Sequence, residues 1–124
     1  MRTQIARQFR FEAAHRLPNL PPDHKCSRLH GHSFFVTIRI EGPLDPHVGW
    51  IMDFADIDAA WKDIPAQLDH RYLNDIPGLE NPTSELIAQW IANTIKLPRE
   101  YLHSVTVHEN CVSECTVFVH PSSQ

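Results

Sequence analysis

The run Cys26-Ser27-Arg28-Leu29-His30-Gly31-His32 places a thiol and two imidazoles within one short segment. His30 and His32 are two residues apart, so on an extended chain both side chains project to the same side, as two ligands of one metal must. A strand ending at His15, paired antiparallel with the strand that begins here, brings a third imidazole to the same spot. Three neutral nitrogens with an open fourth position are the donor set of a catalytic zinc rather than a structural one. Gly31 leaves the backbone between the ligands free to adjust. In a chain with nine histidines, His30 and His32 alone would read as surface residues near a hairpin; His15 changes that reading.

Other metal patterns fit poorly. A cupin strand wants a Glu three or four residues after its His-x-His, where this chain has Val36 and Thr37. A zinc ribbon needs two Cys pairs, and Cys111 with Cys115 makes one wide pair, so both are expected to be structural. Cys26 differs. With Lys25 and Arg28 around it and a dication nearby, it is expected as a thiolate able to accept a proton. Lys25, Arg28 and Arg16 also make this loop cationic, which suits a phosphorylated substrate as well as it suits a solvated loop. Asp69-His70 offers a carboxylate beside an imidazole, the arrangement of a positioned proton carrier, though sequence neighbours need not touch. Glu109 ends a strand and shares the parity of Val105 and Val107, so it points toward a partly buried place where a carboxylate requires a partner. A planar ligand with two adjacent N–H groups would satisfy it; the competing reading is an edge charge.

The elements that must position these residues can be read from periodicity. From Thr3 to His15 and from His32 to Glu41 the residues alternate with period two, giving two strands expected to pair antiparallel. Between them Arg16 to Leu29, with Pro18, Pro21 and Pro22, is too rich in proline for regular structure and reads as a working loop. Asp53 to Leu68 carries Phe54, Ile57, Trp61, Ile64 and Leu68 at helical spacing, with Asp53 as N-cap, Asp56 in the first turn and Pro65 expected to kink or shorten the end. A second helix is expected to start at Asn81-Pro82-Thr83-Ser84-Glu85, with Asn81 capping, and to run to Pro98. Leu102 to Glu109 and Cys115 to His120 read as a hairpin. The order is ββααββ, an α+β fold with two helices on one face of a four-stranded antiparallel sheet. The other face (Gln4, Gln8, Arg10, Thr37, Arg39) and both edges are left open, so an oligomer joined through strand edges is expected.

Composition narrows the classes. The 124 residues suit one domain spanning 1–124, and 42% hydrophobic with 21% charged residues argues against disorder and membrane spans. A net charge of −4 gives no overall positive field for nucleic acid. Three cysteines suit a reducing compartment, and without a signal-like apolar run at the start a cytoplasmic location is expected.

Taken together, Phe11-Glu12-Ala13-Ala14-His15-Arg16-Leu17-Pro18, the Cys26-x-x-x-His30-Gly31-His32 motif, Leu68-Asp69-His70 and Asn81-Pro82-Thr83-Ser84-Glu85 resemble the 6-pyruvoyl-tetrahydropterin synthase family, from about Phe9 to Glu109. The short spacing from Cys26 to His30 is that of the family's carboxy-pterin branch; the eukaryotic pyruvoyl enzymes have a longer gap. The resemblance implies a tunnelling fold whose subunits join edge to edge into a trimeric barrel, with two trimers stacked and active sites at subunit boundaries. It implies zinc on His15, His30 and His32, proton abstraction by Cys26, a relay of Asp69 and His70, Glu109 gripping the pterin, and Thr83, Ser84, Lys25 and Arg28 binding substrate. It implies a lyase of queuosine biosynthesis converting 7,8-dihydroneopterin triphosphate to 6-carboxy-5,6,7,8-tetrahydropterin with release of triphosphate and acetaldehyde. The pyruvoyl product is the alternative within the family. A non-catalytic pterin- or zinc-binding module would have no need of a proton carrier on each side of its ligand, and a generic zinc hydrolase would leave Cys26 without a task.

Overall fold

Alternating apolar residues build the two long strands, β1 (Gln4–His15) and β2 (His30–Glu41), which pair antiparallel along their full length from Gln4 opposite Glu41 to His15 opposite His30. The computed structural model describes residues 1–109 and 112–120, so the expectation for Cys111 lies outside the described residues. One face of the pair carries Phe11, Phe34, Val36, Ile38 and Ile40, all buried, with the Phe11 and Phe34 rings stacked at 4.9 Å. This face meets the helices. α1 (Phe54–Trp61) and the one-turn α2 (Pro65–Leu68) bury Ile57, Trp61 and Leu68, and Trp61 stacks on Phe9 at 4.6 Å. α3 (Ser84–Thr94) adds Ile87, Ala88, Ile91 and Ala92 to the same core.

Two strands complete that side of the sheet. β4 (Leu102–His108) pairs antiparallel with β2, with a register shift at Arg39–Ile40, and β5 (Cys115–Phe118) pairs antiparallel with β4. The sheet has five strands, not four. β3 (Arg71–Tyr72) lies parallel to β1 at Ala13–Ala14, giving the order β3-β1-β2-β4-β5. Two residues are too few for a period-two pattern to register in the sequence.

The helix boundaries differ from expectation for local reasons. Asp53 caps α1 as anticipated, its carboxylate accepting from Ala55 N, and Asp56 sits in the first turn. Pro65 goes further than kinking: having no N–H to donate, it separates α2 from α1 and stands at the start of α2. The cap of α3 is Thr83, whose Oγ1 accepts from Leu86 N at 3.2 Å, so Asn81 and Pro82 precede the helix instead of opening it. α3 also ends at Thr94, ahead of Pro98. Among the described residues no helix is long and apolar enough to cross a membrane.

Candidate metal centre and its surroundings

The β1–β2 register decides where the imidazoles go. His15 faces His30 directly, and His32 faces Ala13, one step along on the same side of the sheet. The three rings pack edge to face, with centroids 4.6 Å apart for His15–His30, 4.8 Å for His30–His32 and 5.3 Å for His15–His32. Their ligand nitrogens all lie within 4.8 Å of one another. Phe34 stands at the edge of both His15 and His32, so the cluster rests directly on the apolar core.

Backbone carbonyls fix how the rings present themselves. His15 Nδ1 donates to the Pro82 carbonyl at 2.8 Å, and His30 Nδ1 donates to the Arg28 carbonyl at 2.7 Å. Each bond holds the proton on Nδ1 and leaves Nε2 with a free lone pair, the arrangement that outer-shell acceptors impose on metal-binding histidines. His15 is only 1% exposed, and its Nε2 is buried with no hydrogen-bond partner. Burial pushes the His15 imidazole below its ordinary value, against the opposing effect of the Pro82 bond, so the ring is held neutral. A buried acceptor without a partner is costly, and a cation shared with His30 and His32 would satisfy it. The three histidines are positioned to hold a metal ion.

Glu109, one residue past the end of β4, reaches this cluster. Its Oε2 lies 3.4 Å from His32 Nε2 and its Oε1 3.9 Å from His15 Nε2, while Ser84 Oγ donates to Oε1 at 2.9 Å. Beside it opens a cavity of about 370 Å³ lined by Ser84, Glu85, Glu109, Ser113, Glu114 and Cys115. Cys115 is half-buried there, and burial raises its thiol, with the Glu85 charge adding to the effect. Of the two hydroxyls expected near a ligand, Ser84 holds Glu109 and Thr83 caps α3.

Asp69 and His70 are joined, but elsewhere. His70 Nδ1 lies 3.0 Å from Asp69 Oδ2, and the Glu12 peptide clamps the pair: its N–H donates to Asp69 Oδ1 at 2.8 Å and its carbonyl accepts from His70 N at 2.6 Å. The Glu12 N–H and the His70 ring hold the Asp69 carboxyl below the usual carboxylate range. His70 has φ +57°, a left-handed conformation uncommon for a residue with Cβ, and its side chain is 79% exposed. It borders an open groove of about 620 Å³ shared with Glu12, Gly31, His32, Ser33 and Tyr72. Glu12 and Ser33 belong to the sheet face opposite the three imidazoles and are hydrogen-bonded to each other at 2.7 Å.

Cys26 sits half-buried and unpaired in a single 3₁₀ turn, Lys25–Ser27. Its N–H donates to His24 Nδ1 at 3.1 Å and its carbonyl accepts from Leu17 N at 2.8 Å, which ties the two ends of the proline-rich loop together. Lys25, Arg28 and Arg16 are exposed. Arg28 serves the cluster through its carbonyl, and Arg16 is anchored through its own backbone by Asn74, at 3.0 and 2.8 Å. The Pro82 carbonyl and the Glu12 peptide, which orient His15 and the dyad, left no trace in the sequence because every residue carries such groups.

Residues 4–119 match the family model for 6-pyruvoyl tetrahydropterin synthase. The chain is 42% identical over 120 residues, 92% of each chain, to a 6-carboxy-5,6,7,8-tetrahydropterin synthase of Synechocystis. It is 34% identical over 96 residues, 77% of each, to a dihydroneopterin monophosphate aldolase of Pyrococcus furiosus. The solved structure of the Caenorhabditis elegans 6-pyruvoyl tetrahydropterin synthase superimposes with a TM-score of 0.84 over 95% of this chain and 96% of that one, at 25% identity. Family model, relatives and tunnelling-fold architecture coincide on one conclusion: the chain belongs to the 6-pyruvoyl tetrahydropterin synthase family.

Proposed function

We propose that this chain is a zinc-dependent 6-carboxy-5,6,7,8-tetrahydropterin synthase acting on 7,8-dihydroneopterin triphosphate, with triphosphate and acetaldehyde as the other products and queuosine biosynthesis as its setting. The observation that carries the reading is the convergence of His15, His30, His32 and Glu109 in a chain 42% identical to the Synechocystis enzyme. Zinc held by the three Nε2 atoms would supply Lewis acidity, stabilising the negative charge that develops when a proton leaves a side-chain carbon of the substrate.

The protein's own groups divide the remaining work. Glu109, braced by Ser84, accepts the adjacent N–H groups of the pterin ring, and the cavity beside it receives that ring, with Ser84 in its wall and Thr83 preceding it in the chain. Cys26 takes the carbon-bound proton as its thiolate. Lys25 and Arg28, with Arg16, face the triphosphate. Asp69 orients His70, which carries a second proton as the side chain tautomerises and its carbon–carbon bond breaks.

His70 lies at the β1 edge beside Glu12, bordering the open groove that His32 also lines, and in this reading it serves the centre of a neighbouring subunit. The short edge strands β3 and β5 are the surfaces through which copies would join into a trimer or a hexamer of two trimers. The zinc-loaded protein is tested by incubation with 7,8-dihydroneopterin triphosphate and mass identification of the products. A carboxy-pterin with acetaldehyde is expected. A pyruvoyl-pterin that keeps the side-chain carbons assigns the sister activity, and cleavage of dihydroneopterin monophosphate alone assigns the activity named for the Pyrococcus relative.

A further inference from the structure

We propose that Glu109 is the fourth ligand of the metal in the substrate-free protein, and that a pterin gains access to the ion by drawing this carboxylate away. The inference rests on the reading of His15, His30 and His32 as a metal centre and adds a residue and a gating step to it.

Distance is the first support. Two donors held about 2.0–2.1 Å from a tetrahedral ion lie about 3.4 Å from each other. Glu109 Oε2 and His32 Nε2 already stand 3.4 Å apart, the spacing of neighbouring ligands, with no side chain moved. The other carboxylate oxygen lies 3.9 Å from His15 Nε2. Both contacts are made through Nε2, which in His15 is the nitrogen that the Pro82 bond leaves free for an ion.

Charge is the second support. His15 Nε2 is a buried lone pair without a hydrogen bond, since its proton is committed to Nδ1 by Pro82. A carboxylate oxygen facing a lone pair is repelled unless a cation lies between them. Among the described residues, the basic groups within 4.0 Å of Glu109 are His15 and His32, and no lysine or arginine reaches it. Ser84 is a neutral donor and engages only Oε1, which leaves Oε2 for the ion.

The exchange follows from the geometry of a carboxylate. Two adjacent N–H groups of a planar ring engage both carboxylate oxygens in the plane of the group, and so compete with the ion for Oε2. Seating the ring breaks one metal–carboxylate contact, forms two N–H···O bonds and vacates the fourth position for the ligand's own side chain. No proton or electron changes hands. Small hydroxylic compounds that lack the ring's paired N–H groups do not displace Glu109, so the carboxylate that grips the ring also selects which molecules reach the metal.

Cobalt(II) titration tests this, because its visible bands report the number and kind of ligands. The wild-type chain is expected to bind one Co²⁺. Glu109→Gln, with its folding checked by circular dichroism, is expected to shift the bands and weaken Co²⁺ binding by at least about 10- to 100-fold, the loss typical of disturbing even an outer-shell partner. Neopterin, added to the wild-type complex, is expected to shift its bands, whereas glycerol at equal concentration leaves them unchanged. Identical bands and affinity in Glu109→Gln overturn the proposal while leaving the three-histidine centre standing. Failure of the wild type to bind Co²⁺ overturns the metal reading itself. A crystal structure of the Co²⁺-loaded wild type decides without a variant: a Glu109 oxygen about 2.0–2.2 Å from the ion supports the proposal, and one beyond 3 Å overturns it.

Discussion

The imidazole cluster and the Asp69–His70 dyad both hang on β1, yet they are held by different means. His15, His30 and His32 are set by the register of two paired strands, rest on Phe34 through His15 and His32, and have two of their rings locked by backbone carbonyls. The dyad is set by two backbone bonds to Glu12, a residue 57 positions from Asp69, at the border of the sheet, and presents an exposed imidazole in a left-handed conformation. The first region is complete within one chain as a donor set. The second is an exposed carboxylate–imidazole pair that borders an open groove shared with His32. The imidazole cluster packs on the apolar core while the Asp69–His70 pair stands exposed, and the fold sets each with a different part of the same strand.

The largest effect expected from breaking this contrast is on metal binding. His30→Ala removes one of three nitrogens and is expected to abolish stoichiometric zinc, measured by elemental analysis after gel filtration in zinc, with turnover lost as well. A variant that keeps one zinc per chain would show that the cluster is not the metal centre.

Next, Cys26→Ala and His70→Ala are each expected to lower kcat by about 100- to 10,000-fold, the usual worth of a positioned proton carrier, while leaving zinc content unchanged. Mixing the two inactive variants sharpens the comparison. If the dyad serves a neighbour, refolding the subunits together restores activity, because some sites then combine an intact Cys26 with an intact His70. Mixed oligomers as inactive as either parent would place both residues in a single-chain site.

A smaller effect is expected at the start of α3. Thr83→Ala removes the N-cap and should cost about 1 kcal/mol in chemical denaturation. Because Pro82 and Ser84 flank that cap, zinc affinity should fall with it; unaltered affinity would show that the helix start does not tune the centre.

The smallest effect concerns acid. The folded-state Asp69 carboxyl is held below its unfolded value of about 3.9, so its contribution is present above that pH and is lost as pH falls through the folded value. Asp69→Asn is therefore expected to flatten the acid limb of the stability curve below about pH 4. A limb superimposable on wild type would mean that the Glu12 and His70 bonds do not persist in solution.

Much of this was legible in advance, for identifiable reasons. The period-two runs around Phe11 and Phe34 gave the strand pair, and the pair with His-x-His gave the cluster, because parity and antiparallel pairing leave few choices. Asp53 was legible as a cap because its side chain bonds locally. Asn-Pro and Thr-Ser-Glu are both good helix starts, and Thr83 rather than Asn81 is the cap because its side chain bonds Leu86. The break at Pro65 was underestimated, and β3 is too short to show a period.

By itself the sequence determined the residue types that do chemistry, their spacing along each strand and the parity that sends them to one face, since these depend only on side-chain alternation. The tertiary structure decided that Glu109 meets His32 and Ser84, that the carbonyls of Pro82 and Arg28 fix the tautomers of His15 and His30, and that Glu12 holds the dyad at the edge of β1. Those contacts join residues distant in sequence, or use backbone groups that every residue shares, so only the packed chain could select them.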